Sequence, residues 1–164
     1  MSRFRLVIES SLSEVFLISV VVRGVCRQLE VSAADTAALE VCAVEAVTNV
    51  IRHAYLGARE HELSVEFAIS PGRLDLYVRD EGKSMPDEHA AKLRQGSRVL
   101  GFDPRDLRAV PEGGMGLQII HELMDEAEYS REAGINCLRL TKFLRASEGA
   151  EALADAAHSS GAHI

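Results

Sequence analysis

No stretch of this 164-residue sequence stays apolar long enough to cross a bilayer. The richest run is Val15-Phe16-Leu17-Ile18-Ser19-Val20-Val21-Val22, then Val25-Cys26. Arg23 interrupts it, and it falls short of the ~20 apolar residues that a span needs. A membrane role is therefore not expected. Surplus positive charge is missing too. The formal net charge is −7, which argues against sequence-independent nucleic-acid binding, because that affinity comes from neutralising phosphates. Cysteine is scarce. Cys26, Cys42 and Cys137 lie in apolar stretches at no metal-like spacing. An odd count with no secretory pattern points to reduced thiols in a cytoplasmic protein. No Gly-x-x-x-x-Gly-Lys-Ser/Thr occurs, so a P-loop is excluded, and no internal repeat is visible. What is present, 47% hydrophobic and 26% charged residues, is the make-up of an ordinary globular protein with one core.

The apolar spacing sets the organisation. Arg3–Glu9 alternates and reads as a strand, and Ser13–Leu29 as a helix. Ser32, with Asp35 three residues on, caps a second helix that runs to about Tyr55. Leu63, Val65, Phe67 and Ile69 alternate with Glu62, Ser64 and Glu66, and Pro71-Gly72 turns the chain into an Arg73–Asp80 strand, so the two form a hairpin. Leu117–Met124 is a short helix. Glu126–Arg131 and Ile135–Leu144 form a second hairpin around Ala133-Gly134. The expected architecture is α/β: a two-layer sandwich with helices on one face of a mixed, mostly antiparallel sheet. Residues 1–145 form the domain, and 146–164, rich in Ala, Ser and Gly, are expected to be a flexible tail. Lys83–Glu112 is too long for a plain connection and reads as a lid that could close basic groups over phosphates; the plainer alternative is a mixed-charge solvated loop containing a short helix near Asp87–Arg94.

Three segments carry chemistry. In Val44–Tyr55, Glu45, Asn49 and Arg52/His53 recur at helical spacing beside apolar Ala46, Val47, Val50 and Ala54. A carboxylate and an amide one turn apart on a largely buried helix cost stability unless they bind something, and their oxygens suit Mg²⁺ carrying phosphates. A simply wetted helix face is the plainer reading. In Leu74–Gly82 an alternating strand ends at Asp80, with Gly82 two positions on. A carboxylate there can accept from an exocyclic amine, and glycine admits close backbone approach to a flat ring. An ordinary strand exit would look similar. In Gly113-Gly114-Met115-Gly116-Leu117 glycines run into an apolar helix, where free N–H groups and the helix dipole favour phosphate. A linker is the plainer alternative.

Taken in order, these motifs resemble the GHKL superfamily of histidine-kinase-like and gyrase-like ATPases with the Bergerat fold. Their wording is most similar to the anti-sigma-factor serine/threonine kinases (RsbW-like switch kinases). The matching words are Glu45-Ala46-Val47-Thr48-Asn49 with His53-Ala54-Tyr55, then Asp80-Glu81-Gly82, then Gly113-Gly114-Met115-Gly116-Leu117. Met124-Asp125-Glu126 with Tyr129, and Leu138-Arg139-Leu140, also match. The resemblance covers about residues 3–144.

That resemblance implies ATP and Mg²⁺ as cofactors. Asn49 would hold the metal, Glu45 would be the catalytic base toward a serine or threonine hydroxyl, Asp80 would accept the adenine amine, and Gly82 would line the base. Gly114 and Gly116 would offer N–H groups to phosphate. The implied partners are a sigma factor and a small anti-anti-sigma substrate, with a homodimer formed through the first strand and helix. Neither nucleic acid nor membrane is expected as a partner, from the charge and the short apolar run. Two positions depart from the family pattern. Ser84 stands where a second glycine is usual, and Ile18-Ser19-Val20, with Arg23 a turn later, stands where relatives present an arginine. The alternative from another class is a partner switch that holds nucleotide but transfers no phosphate. A detached histidine-kinase catalytic domain is a third reading, disfavoured because no phosphoacceptor helix precedes the motifs.

Overall fold

The computed structural model describes residues 1–95 and 116–144. The expected tail and residues 96–112 of the expected lid lie outside the described residues. Strand β1 is Ser2–Glu9; a 3₁₀ turn, Leu12–Glu14, leads into helix α1, Val15–Gln28. Helix α2 is Ala33–Asn49 and passes directly into a π-helical turn, Val50–Ala54. Strands β2 (Glu62–Ser70) and β3 (Arg73–Asp80) follow, then α3 (Asp87–Gln95), α4 (Gly116–Leu123), β4 (Glu126–Glu132) and β5 (Ile135–Phe143).

The Ser32 side chain caps α2 as its sequence predicts, accepting the Asp35 N–H at 3.1 Å. The second hairpin turns where Ala133 and Gly134 both take positive φ, 48° and 88°. These values suit a two-residue turn matched to strand twist. The two hairpins are not side by side in chain order. The sheet runs β1-β2-β3-β5-β4, so β5 lies between β3 and β4. Every pairing among the described strands is antiparallel, with no parallel pair of the kind a mixed sheet would contain.

Alternation then sorts the sheet's two faces. Leu63, Val65 and Phe67 of β2, Leu74, Leu76 and Val78 of β3, and Leu138 and Leu140 of β5 point to the core. There they join Ile18, Val22 and Cys26 of α1, Leu39, Cys42 and Val47 of α2, and Ile120 of α4. Lys142 also faces inward. Its ammonium donates to the Leu123 carbonyl at 3.0 Å and pairs with Asp125 at 3.3 Å and with the buried Asp35 at 4.0 Å, joining β5 to the end of α4 and the start of α2. On the opposite face Arg3, Arg5 and Arg79 converge on Glu66. Burial raises the Glu66 pKa, but the three guanidiniums outweigh it and hold the carboxyl below its ordinary value.

All three cysteines are free thiols, as their scatter suggests. Burial pushes Cys42 up to about 12, so that thiol is inert. No helix among the described residues is long and apolar enough to cross a membrane.

Tyr55 ties the end of the long helix to the sheet. Its hydroxyl donates to the Glu62 carbonyl at 2.8 Å and accepts the Glu81 N–H at 3.0 Å, so one side chain holds the start of β2 and the exit of β3. Tyr55→Phe keeps the ring and loses both bonds. We expect it to lower unfolding stability by about 1–2 kcal/mol in urea melts. An unshifted midpoint would show that water replaces the hydroxyl at no cost.

Candidate functional site

The π-helical turn gives the site its shape. The Tyr55 N–H reaches the Val50 carbonyl and the Gly57 N–H the Ile51 carbonyl. The Ala54 carbonyl is left to accept from Lys83, at 2.9 Å. Gly82 packs into the same corner. A Cβ there would lie 2.7 Å from the Ala54 oxygen, which requires glycine. The exit of β3 is thereby pressed against the end of α2. A cavity of about 860 Å³ opens beside this junction, of a size that suits a cofactor-scale ligand.

Glu45 and Asn49 line this cavity from α2, Asp80 from β3 and Gly116 from the start of α4. Four of the residues singled out in the sequence are therefore brought together. Gly116 presses on the helix pair: a Cβ there would fall 2.5 Å from Glu45 Oε2 and 3.1 Å from Asn49 Nδ2. Gly82 is not part of the lining. It acts from behind, donating its N–H to Asp80 Oδ1 at 2.9 Å. Gly114 lies outside the described residues. Lys83, Ser84, Met85 and His89 form a further wall, and Arg52 and Lys83 bring positive charge to it.

The polar groups that line the cavity are not all satisfied by protein among the described residues. Asn49 Nδ2 is buried and has no hydrogen-bond partner among the described residues, an arrangement that costs stability without a ligand. Asp80 is 6% exposed. Burial raises its pKa, and hydrogen bonds from Asn136 and Gly82, with the charge of Arg131, hold back part of the rise. Among the described residues no three His, Cys, Asp or Glu side chains cluster as a metal cage. The hard oxygens of Asn49 and Glu45 fit a Mg²⁺ that takes most of its shell from phosphates and water.

Asn136 is the residue the sequence reading missed. It sits opposite Asp80 in the β3–β5 register, is 2% exposed, and donates to Asp80 Oδ1 at 2.7 Å. The signal was an amide at an inward position of the Asn136-Leu138-Leu140 alternation. Only the register of β5 on β3 gives it a partner.

A family model for the histidine kinase-like ATPase domain matches residues 8–142, and the chain belongs to that family. It is 31% identical over 129 residues to the serine-protein kinase RsbW of Bacillus licheniformis, an alignment that spans 78% of this chain and 77% of that kinase. Two solved structures share the fold. One is the RsbU and RsbW domains of Rv1364c from Mycobacterium tuberculosis, with TM-score 0.61 and 17% identity, covering 90% of this chain and 34% of that one. The other is the SiaB–SiaC complex from Pseudomonas aeruginosa, with TM-score 0.56 and 19% identity, covering 83% and 88%. The family that the ordered motifs resemble is the family found.

Asp80 gives a signed prediction. Its raised folded-state pKa means that the protonated form suits the fold. Its contribution to stability is full below the unfolded value and is lost as pH rises through the folded one. Asp80→Asn keeps an acceptor for Asn136 and Gly82 and removes the buried charge. We expect its stability relative to wild type to grow between about pH 4 and pH 7 in thermal melts. A constant or shrinking difference would contradict the raised pKa. The same variant should bind ATP roughly tenfold to a hundredfold more weakly, as measured by calorimetry, because a charge-assisted bond is lost.

Proposed function

We propose that this chain binds Mg-ATP in the α2–β3 cavity and transfers the γ-phosphoryl group to a serine or threonine of a small anti-anti-sigma protein, alternating between that substrate and a sigma factor in the cytoplasm. The observation that carries the reading is Glu45 and Asn49, one turn apart on α2, lining the same cavity as Asp80 with Gly116 against both. The likeness to the serine-protein kinase RsbW supports it over most of the chain.

Phosphoryl transfer asks mainly for positioning, charge neutralisation and a group that orients the nucleophile. Asp80 Oδ2 accepts the adenine amine and so fixes one end of the nucleotide. The Gly116 N–H, at the start of α4, would serve the phosphate end. Asn49 would hold Mg²⁺ through its amide oxygen, and the ion, when bound, would supply charge neutralisation at the phosphate end. Glu45 takes the proton from the substrate hydroxyl as general base.

We expect Glu45→Ala to keep ATP affinity and lower phosphotransfer by ~10²–10⁴, measured with radiolabelled ATP and the cognate anti-anti-sigma protein. Asn49→Ala should abolish both transfer and the Mg²⁺ dependence of binding. A wild-type chain that binds ATP but labels no such substrate would favour the switch without kinase activity. A Glu45→Ala variant with wild-type transfer would remove Glu45 from the chemistry.

The partner surface is proposed on α1 and the 3₁₀ turn that precedes it. Leu12, Phe16 and Val20 recur at i, i+4 and i+8 and are 53%, 61% and 60% exposed. They form one apolar stripe opposite buried Ile18, Val22 and Cys26. We propose that a homodimer buries this stripe, with the sigma-factor surface adjoining it. Sedimentation at micromolar concentration should give a dimer for wild type and a folded monomer for Val20→Glu. A wild-type monomer would remove the dimer from the proposal.

A further inference from the structure

The Asp80 carboxylate is held in one orientation by groups that also hold the wall next to it. Asn136 Nδ2 donates to Asp80 Oδ1 at 2.7 Å and reaches the Gly82 and Lys83 carbonyls at 3.2 and 3.4 Å. Its own Oδ1 accepts from the Tyr129 hydroxyl at 2.8 Å and from Arg131 at 3.1 Å. The amide therefore cannot turn over. Reversed, its oxygen would meet a carboxylate and two carbonyls, and its NH₂ would meet two donors. The Tyr129 hydroxyl also accepts the Met85 N–H at 3.0 Å. A continuous chain of bonds thus runs from Asp80 through Asn136 and Tyr129 to the backbone at Met85, and all four residues line the cavity.

The consequence falls on Asp80. Its Oδ1 is filled by Asn136 Nδ2 and the Gly82 N–H, and its Oδ2 has no hydrogen-bond partner among the described residues. One oxygen is committed to the protein and one is left for a ligand. A purine that presents an amine to Oδ2 gains a charge-assisted bond. A purine that presents a carbonyl there meets like polarity and loses. That discrimination lasts only while the carboxylate cannot rotate to offer a compromise geometry, because it is the penalty for the wrong partner that makes a polar pocket selective.

We infer that Asn136 and Tyr129 form a latch that sets the nucleobase preference of this cavity: Asn136 fixes the orientation in which the Asp80 carboxylate presents its free oxygen to the base, and Tyr129 ties that orientation to the Lys83–Met85 wall. The inference rests on the Mg-ATP reading of the cavity and deepens it. Asn136 is the specificity-determining residue and Tyr129 its positioning residue. Because the chain of bonds is continuous, filling the base end also steadies the Met85 N–H, and loosening Met85 loosens the grip on the base.

Tyr129→Phe tests the latch, since the ring stays and only the hydroxyl goes. Two measurements are made on the full chain: calorimetric affinities for Mg-ATP and Mg-GTP, and amide exchange at Met85 without nucleotide. We expect the ATP-to-GTP affinity ratio to fall by about threefold to tenfold, the worth of one neutral hydrogen bond. Met85 exchange should quicken in the nucleotide-free variant while unfolding stays cooperative. Asn136→Asp, which sets a carboxylate where the donor stood, should lose still more of the preference. Tyr129→Phe does not depend on that variant folding. An undiminished ratio in Tyr129→Phe, or unchanged Met85 exchange, overturns the latch while leaving the Mg-ATP reading in place. A wild-type chain with no preference for ATP over GTP overturns the specificity assignment together with that reading, even if Met85 exchange responds.

Discussion

Ala54 and Gly82 meet at the point where the end of the long helix rests on the end of the central strand, and the site is built outward from that contact. The close approach is possible because Gly82 has no side chain, and a Cβ would collide with the Ala54 backbone. The Lys83 N–H then reaches the Ala54 carbonyl, and the Tyr55 hydroxyl takes the Glu81 N–H. With those backbones fixed, Glu45 and Asn49 look into the cavity from the preceding turns of α2, and Asp80 looks in from β3. The π-helical turn matters here because it changes which carbonyls at the helix end are left free to bond outside the helix.

Polar burial separates structure from function in this molecule. Lys142 with Asp35 and Asp125, and Glu66 among its three arginines, are buried or half-buried charges whose partners are all protein. They join elements, and they ask for nothing further. Among the described residues, Asn49 Nδ2 is buried and unpartnered, and Asp80 keeps one oxygen free under a burial that raises its pKa. Groups left in that condition destabilise the empty fold and gain only when a ligand supplies the missing contacts. On the proposed Mg-ATP reading, the cavity is the place where this fold gives up stability for binding.

The outer stripe of α1 shows the same logic at the surface. A helix that covers one sheet face needs a single apolar stripe, and α1 has Ile18, Val22 and Cys26 for that. Leu12, Phe16 and Val20 are surplus to it and stand exposed. An exposed apolar surplus of this kind is what the proposed second chain would cover.

Much of the local structure was legible in the residues alone. Periodicity placed both hairpins and the capped helix after Ser32, because burial on one face imposes a period of two on strands and 3.6 on helices. The three motifs pointed to Glu45, Asn49, Asp80 and Gly116, because an amide or carboxylate amid apolar neighbours, or a glycine before an apolar helix, is informative without coordinates. Tertiary structure decided what those residues meet. Nothing in the sequence places β5 between β3 and β4, and so nothing in it sets Asn136 against Asp80. Strand order is fixed by the summed burial of the whole sheet, not by any one segment. The purely antiparallel pairing, the role of Gly82 as a packing residue behind Asp80, and the bond chain from Asn136 through Tyr129 to Met85 all follow from that order. The sequence by itself determined which side chains could do the chemistry, because residue type and local period are written in it; tertiary structure decided their neighbours, because contacts between residues 80 and 136 exist only once the sheet has closed around them.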